Sequence, residues 1–445
     1  MNTHNAGLRQ FAPVGGERAG VRISYSSIVY GLFFFFMWYS YVNGWPYSGR
    51  SAAEFEDALS TSTKGDSARQ AFFLLMFGLT ILFTLANLKA ILFRAFQPML
   101  FVLFAWILLS CLWAIDPVTS FKRSVLAIIV AVITINMTAY LGPEKIMDIL
   151  YKSLISLLIV NFLSVALVPN WAIHLSDEYD EGLIGAWKGI MIHKNVASGV
   201  SSVSAIIFFF KFYTRHRLHD LVLTVLAIVF LMGTSGKTSI GFLLPSIAFA
   251  LAYRWMMLSN HKNKLLLTTL LSIVAVLMIG YGIFRDEIIE VFSNPQSFTG
   301  RVAIWNAIIA YGKDHFWLGS GYGSFWQIGE KSPIFWMNIQ QMWLTGVAHS
   351  HNGFLEMWVT TGIIGLVLSL ISGLVMPIIG LFYASREDAN IASLYAGIWL
   401  FCLLTNLLET RFLTKDSVMW TIMLLSMTSL HIIGGRRRSG NRVYD

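Results

Sequence analysis

Charge is scarce in this chain. Asp, Glu, Lys and Arg supply 13% of its 445 residues, against roughly 25% in soluble globular domains. Apolar residues supply 56%, and the mean hydropathy is +0.63. A soluble fold of this size could not hide that much apolar surface, so the solvent is lipid. Cysteine is nearly absent. Cys111 and Cys402 both sit inside apolar runs, a pattern that suggests neither a disulfide nor a metal site. No Gly/Pro/Ser-rich linker divides the chain. We therefore read one membrane domain, 23–434, between a polar arm at 1–22 and a basic tail at 435–445. A cleaved leader is not expected. The first apolar run begins near Ile23, is long enough to span, and has no A-x-A-like site after it.

What is present is a series of long apolar runs at 23–42, 71–88, 96–115, 124–141, 150–168, 190–210, 219–234, 238–257, 264–284, 352–382, 390–408 and 416–434. Each approaches or exceeds the roughly 17–25 residues that cross a bilayer. In lipid the backbone must bond internally, so the runs are helices. The expected fold is an all-α polytopic membrane protein of about 12 transmembrane helices, with Pro377 kinking the long tenth run.

The net charge of +8 is a topology signal rather than a nucleic-acid patch. With the N-terminus cytoplasmic, the inner segments carry 18 of the 32 basic residues against seven of the 24 acidic ones. They include Lys211, Arg215, Arg217 and Arg436–Arg438. Most inner loops are short, which is where the positive-inside rule has force. Both termini are thus expected in the cytoplasm. Two outer segments are longer than connectors need. One, from Pro169 to Gly189, holds the acidic cluster Asp177, Glu178, Asp180 and Glu181. The other, 285–350, is rich in aromatics: Trp305, Trp317, Trp326, Trp336 and Trp343. That density argues against disorder.

Four local patterns converge on the outer face. Trp187-Lys188-Gly189 is followed by His193-Lys194-Asn195. Ser235-Gly236-Lys237-Thr238 fills a tight turn. It resembles the end of a P-loop, but Leu231 stands where the first glycine belongs, and no strand precedes it. Lys237 is either a snorkelling turn residue or a cation presented to an anionic ligand. Thr299-Gly300-Arg301 opens a short helix from Gly300 to about Tyr311, with Thr299 as its cap and Val302, Trp305, Ile308 and Ile309 on its apolar side. Arg301 in its first turn makes an anion site. His349-Ser350-His351-Asn352 opens the tenth helix, with Ser350 or Asn352 available to cap it. A histidine beside a helix N-terminus and near cations is held neutral, and a neutral imidazole can take a hydroxyl proton. Glu356, just inside the membrane edge, is a functional candidate by location. Zinc at His193, His349 and His351 lacks a cysteine, a second His at i+4 or a carboxylate pair. Neither metal nor cofactor is expected.

Together these patterns resemble the bacterial O-antigen ligase and Wzy-type polysaccharide polymerase superfamily, over roughly 187–240 and 299–365. The most specific piece is His351-Asn352 with Gly362 and Gly365 downstream. Gly300-Arg301 with Trp305, and Gly319 with Gly321, comes next. The resemblance implies a metal-independent, inverting glycosyltransferase of the bacterial inner membrane. Its donor is a sugar chain on undecaprenyl diphosphate at the periplasmic face. Arg301, Lys237, Lys194 and His193 would bind the diphosphate. His351 or His349, with Glu356, would carry the catalysis, and Trp305, Asn352 and Asn195 would contact sugar or acceptor. Membrane lipid and a chain-length regulator protein are further candidate partners. Where many members read Ser-Arg-Thr this chain has Lys237, which lacks the bidentate fork. The Lys194 and Lys237 versions look closest to exopolysaccharide polymerases. Ligase activity toward lipid A core is the nearest alternative. A transporter of the same lipid-linked sugar is the alternative of another class, although its charged residues would lie near the midplane with inverted repeats.

Overall fold

A computed structural model describes residues 25–42, 67–175, 183–294, 297–298, 300–337 and 347–440. The acidic cluster at 177–181, Thr299, Trp343 and the arm at 1–22 lie outside the described residues. Each of the twelve apolar runs is helical. They are α1 (Tyr25–Val42), α2 (Ser67–Thr84) continuing through a 3-10 turn into α3 (Leu88–Ala95), α4 (Pro98–Leu109), α5 (Pro117–Leu141), α6 (Pro143–Leu167), α7 (Lys194–Arg215), α8 (Leu218–Gly233), α9 (Lys237–Leu258) and α10 (Lys262–Ile283). After α11 (Arg285–Ser293) and α12 (Arg301–Asp314) come α13 (Gly353–Leu370), α14 (Met376–Tyr383), α15 (Ala389–Thr405) and α16 (Val418–Gly440). Among the described residues, seven helices are long and apolar enough to cross a membrane, and three shorter apolar ones accompany them. The chain is a polytopic, all-helical membrane protein. The bundle is centred on α7 and α16, the most buried of the seven.

Polar contacts gather at two opposite ends of this bundle. At one rim Arg436 binds Glu144 at 2.9 and 3.1 Å and Asp388 at 2.6 Å, Lys262 donates to the Phe382 carbonyl at 2.7 Å, and Lys152 pairs with Asp148 at 2.7 Å. At the other, Arg69 pairs with Asp416 at 2.9 Å, and Arg123 donates to the carbonyls of Trp326 and Gln327 at 2.9 and 3.0 Å. The two sets draw on different connectors of the chain.

The long segment after α10 is not a loose loop. Val302, Ile304, Trp305 and Ile308 of α12 pack with Phe325, Trp326, Ile334 and Val359 into a hydrophobic cluster separate from the main core. Ile309, expected on that apolar side, is 38% exposed. The helix itself runs from Arg301 and is capped by Gly300 at φ 80°.

The tenth run is interrupted twice, and each interruption is repaired. Pro377 has no N–H to offer the carbonyl four residues back. The chain forms a π turn at Ile371–Val375, and the Trp399 indole donates to that carbonyl, Gly373 O, at 2.8 Å. A second break, unforeseen in the sequence, lies at Gly362, with φ 69° and ψ −176° inside α13. That conformation is essentially reserved for glycine. The freed groups find partners: Trp106 Nε1 donates to Thr361 O at 3.0 Å, Ser320 N to Val359 O at 2.9 Å, and Ile363 N to Phe316 O at 2.9 Å. A Cβ on Gly362 would lie 2.0 Å from Trp317 O. Gly362→Ala should therefore destabilise the protein by about 3 kcal/mol or more. The check is the thermal midpoint of the detergent-solubilised protein, and an unchanged midpoint would refute it.

Candidate active site

The rim that carries Arg123 and Asp416 also holds the sequence candidates, and they meet on a residue not foreseen among them. Glu409 lies in the turn after α15 and is 5% exposed. Its Oε1 accepts from Arg301 Nη2 at 2.8 Å, and Arg301 Nη1 donates to the Leu408 carbonyl. Its Oε2 lies 3.7 Å from His351 Nδ1, ion-pair range but long for a hydrogen bond. Burial alone would raise the Glu409 carboxyl. The imidazole of His351 and the guanidiniums of Arg411 and Arg301 outweigh it and hold the group well below the usual carboxylate range. It is a fixed negative charge.

Arg411, 4% exposed, is the second unforeseen residue. It donates to the Asn195 carbonyl at 3.0 Å and so ties this turn to the first turn of α7. Asn406 folds the turn. Its Oδ1 accepts from the backbone N–H groups of Arg411 and Phe412 at 3.0 and 2.9 Å, while its carbonyl accepts from Gly353 N at 2.8 Å. A Cβ at Gly353 would lie 1.9 Å from Asn406 Oδ1, so only glycine permits this docking. The sequence signal was present: two opposite charges, Glu409 and Arg411, stand in a short turn between two apolar helices, where ionisable residues need a reason.

The histidine segment is held from several sides. Asn352 caps α13, its Oδ1 accepting from Phe354 N and Leu355 N at 2.9 and 3.0 Å. Glu356 Oε2 accepts from Ser350 N at 2.9 Å and Trp326 Nε1 at 3.0 Å. Trp305 Nε1 donates to Ser350 O at 3.0 Å. Asn352, Glu356 and Trp305 are therefore brackets for the segment, and Trp305, 6% exposed, offers no open ring face. Trp317 and Trp336 do, at 67% and 77% exposed. The rings of His349 and His351 lie 4.2 Å apart, and His351 sits at φ 52°. His351 Nδ1 is buried, while the side chain as a whole is 27% exposed.

His193 closes the group. It caps α7, its Nδ1 accepting from Asn195 N at 3.1 Å, and its ring lies 5.2 Å from that of His174. His174, unforeseen, accepts from Lys194 N at 3.3 Å. Burial, with neighbouring His174, Lys194 and His351, lowers His193 to about 4. Burial, with His351, Arg411 and His193, lowers His349 to about 3. Burial above all makes both neutral imidazoles at physiological pH. Lys237 stands at the start of α9, exposed, in a turn linked to the group through the Ser239–Ser198 contact at 2.9 Å and the Ser198 donation to the Asn195 carbonyl at 3.1 Å. The structure thus gathers His193, His349, His351 and Arg301 around Glu409 and Arg411, with Lys194 and Asn195 beside them. Lys237 is not among the residues in contact with this group and is linked to it only through its turn. Among the described residues, no group of three or more His, Cys, Asp or Glu could hold a metal ion.

The lowered histidines have a thermodynamic consequence. Unfolded histidine titrates near 6.5, so between pH about 3 and 6.5 the unfolded chain binds a proton at His349 that the folded chain does not. Stability must rise with pH across that window. Thermal midpoints in detergent should fall from pH 7 to pH 5, and His349→Gln should flatten the slope. An equal slope in the variant would contradict the neutral, buried imidazole.

Residues 221–370 match the family described as O-antigen ligase. The match spans Lys237, Arg301 and His349 to Glu356, and leaves out His193, Glu409 and Arg411. None of the curated proteins compared with the chain matches it.

Proposed function

We propose that this protein, whose residues 221–370 match the O-antigen ligase family, is a glycosyltransferase that polymerises undecaprenyl-diphosphate-linked repeat units. The reaction takes place at the periplasmic face of the bacterial inner membrane, with both termini in the cytoplasm. The observation that carries the reading is the pairing of His351 with the buried Glu409 carboxylate beside Arg301 and Arg411.

The chemistry follows from that geometry. The acceptor hydroxyl approaches Nε2 of His351, whose Nδ1 faces Glu409. Its oxygen attacks the anomeric carbon of the donor and its proton passes to Nε2. The bond from that carbon to the diphosphate oxygen breaks, the electron pair leaves with the polyprenyl diphosphate, and attack opposite the leaving group inverts the centre. Glu409 stabilises the imidazolium as it forms, as a buried carboxylate does behind a base histidine. Arg301 and Lys237, with Lys194, balance charge growing on the diphosphate. Arg301 can serve because two of its five N–H donors are engaged by Leu408 and Glu409. His349 and His193, being neutral, add no competing charge. Exposed Trp317 and Trp336 give sugars the stacking faces that Trp305 does not.

His351→Ala and Arg301→Ala should insert normally and abolish polymer growth, measured as polysaccharide chain length in cells carrying each variant. Glu409→Gln, which leaves Arg301 and Arg411 facing an uncharged amide, should lower transfer by at least about 100-fold, as loss of a buried ionic partner does. Full-length polymer from His351→Ala would remove the base assignment. A deletion strain should accumulate single repeat units on the lipid. Long undelivered chains would indicate a ligase instead, and loss of lipid-linked export without loss of transfer would indicate a transporter.

A further inference from the structure

Two imidazoles stand side by side at the candidate site, and their hydrogen bonds give them opposite tasks. The rings of His349 and His351 lie 4.2 Å apart, tilted by 55°. His351 N donates to His349 Nδ1 at 3.3 Å. A backbone N–H can only donate, so Nδ1 is the nitrogen of His349 that carries no proton. The ring is neutral, and its one proton therefore sits on Nε2. His349 cannot serve as the base, because its bare nitrogen is already taken. His351 is arranged the other way round. Its Nδ1 faces the Glu409 carboxylate at 3.7 Å, which favours the proton there and leaves Nε2 bare. The pair thus offers one bare Nε2 and one Nε2–H. Among the described residues neither Nε2 makes a hydrogen bond, and both side chains are partly exposed.

The spacing of the two rings is built in. The bond from His351 N ties the His349 ring to the backbone of its neighbour. Ser350, between them in the chain, is held by Glu356 through its N–H and by Trp305 through its carbonyl. Asn352 fixes the following turn as the cap of α13. A neutral donor also suits this place better than a cation. A positive charge so near would oppose the imidazolium that forms on His351, and neutral His349 adds none. The complement of a bare nitrogen beside an N–H is a pair of adjacent hydroxyls. One gives its proton to His351 Nε2, and the oxygen of the other accepts from His349 Nε2–H. We propose that the His349–His351 pair reads a vicinal diol on the acceptor sugar, so that His349 selects which hydroxyl attacks. This rests on the polymerase reading and adds to it the chemistry of the acceptor and the position of the linkage.

The test uses the full chain in nanodiscs and three acceptors: the host's repeat unit on polyprenyl diphosphate, and two monodeoxy forms of it, each lacking one of the hydroxyls beside the one that attacks. Wild-type kcat/KM should fall by about five- to a hundredfold for one of the two deoxy acceptors, the cost of leaving a donor unpaired. Two substitutions separate the nitrogens of His349. His349→Gln places an N–H near the position of Nε2 and should keep the discrimination. His349→Asn places an acceptor near the position of Nδ1, should keep the thermal midpoint, and should lose the discrimination, with linkage through the neighbouring hydroxyl appearing among its products. Discrimination that survives in His349→Asn, or is missing from the wild type, would overturn the proposal. So would equal losses on all three acceptors in both variants, which would assign His349 to the diphosphate or to a structural role alone. His351→Ala should abolish transfer to every acceptor. Transfer that persists there would put the fault in the base assignment of the polymerase reading rather than in the part played by His349.

Discussion

One buried carboxylate organises the candidate site. Glu409 is almost fully removed from water, which is costly for a lone charge. It is tolerable only because Arg301, Arg411 and His351 close around it. The cost of breaking that arrangement falls on every member, since each partner would be left as an uncompensated charge or a misplaced ring. The carboxylate therefore does more than balance charge. It brings α12, the segment before α13 and the turn after α15 to one place, and through Arg411 and Asn195 it adds the start of α7.

The rest of the fold reads as what is needed to present that group at a membrane rim. Lipid forbids unsatisfied backbone, yet the tenth run is broken at Gly362 and again before Pro377. Both breaks persist because neighbouring indoles and loop amides take up the freed groups. The breaks let the segment after α12 lie against the helix rather than stand off from it. Much of that segment's aromatic content is consumed in its own hydrophobic cluster. Trp305 and Trp326 act as beams, and Trp317 and Trp336 remain exposed.

The fold was largely legible in the sequence. Apolar run length marked out the helices, because lipid leaves few alternatives. The site was half legible. His351, Arg301 and His193 stand out by residue type near helix starts, and the neutrality of His193 and His349 follows from burial beside cations. Glu409 and Arg411 were passed over because they lie far along the chain from the histidines, in a turn with no motif of its own. Their meaning comes from tertiary packing. Asn352, Glu356 and Trp305 also hold the histidine segment in place, a role that residue type does not reveal and hydrogen-bond partners do. The break at Gly362 was hidden because glycine in an apolar run is common.

The central claim is that the rim around Glu409 forms a glycosidic bond at the expense of a polyprenyl diphosphate. The most direct measurement is single-turnover transfer by the purified protein in nanodiscs, supplied with lipid-linked repeat units and no other sugar donor. The account predicts one inverted glycosidic linkage and one polyprenyl diphosphate released per turnover. Lipid-linked repeats recovered unchanged from a preparation of folded protein, or products that retain the donor's anomeric configuration, would contradict it.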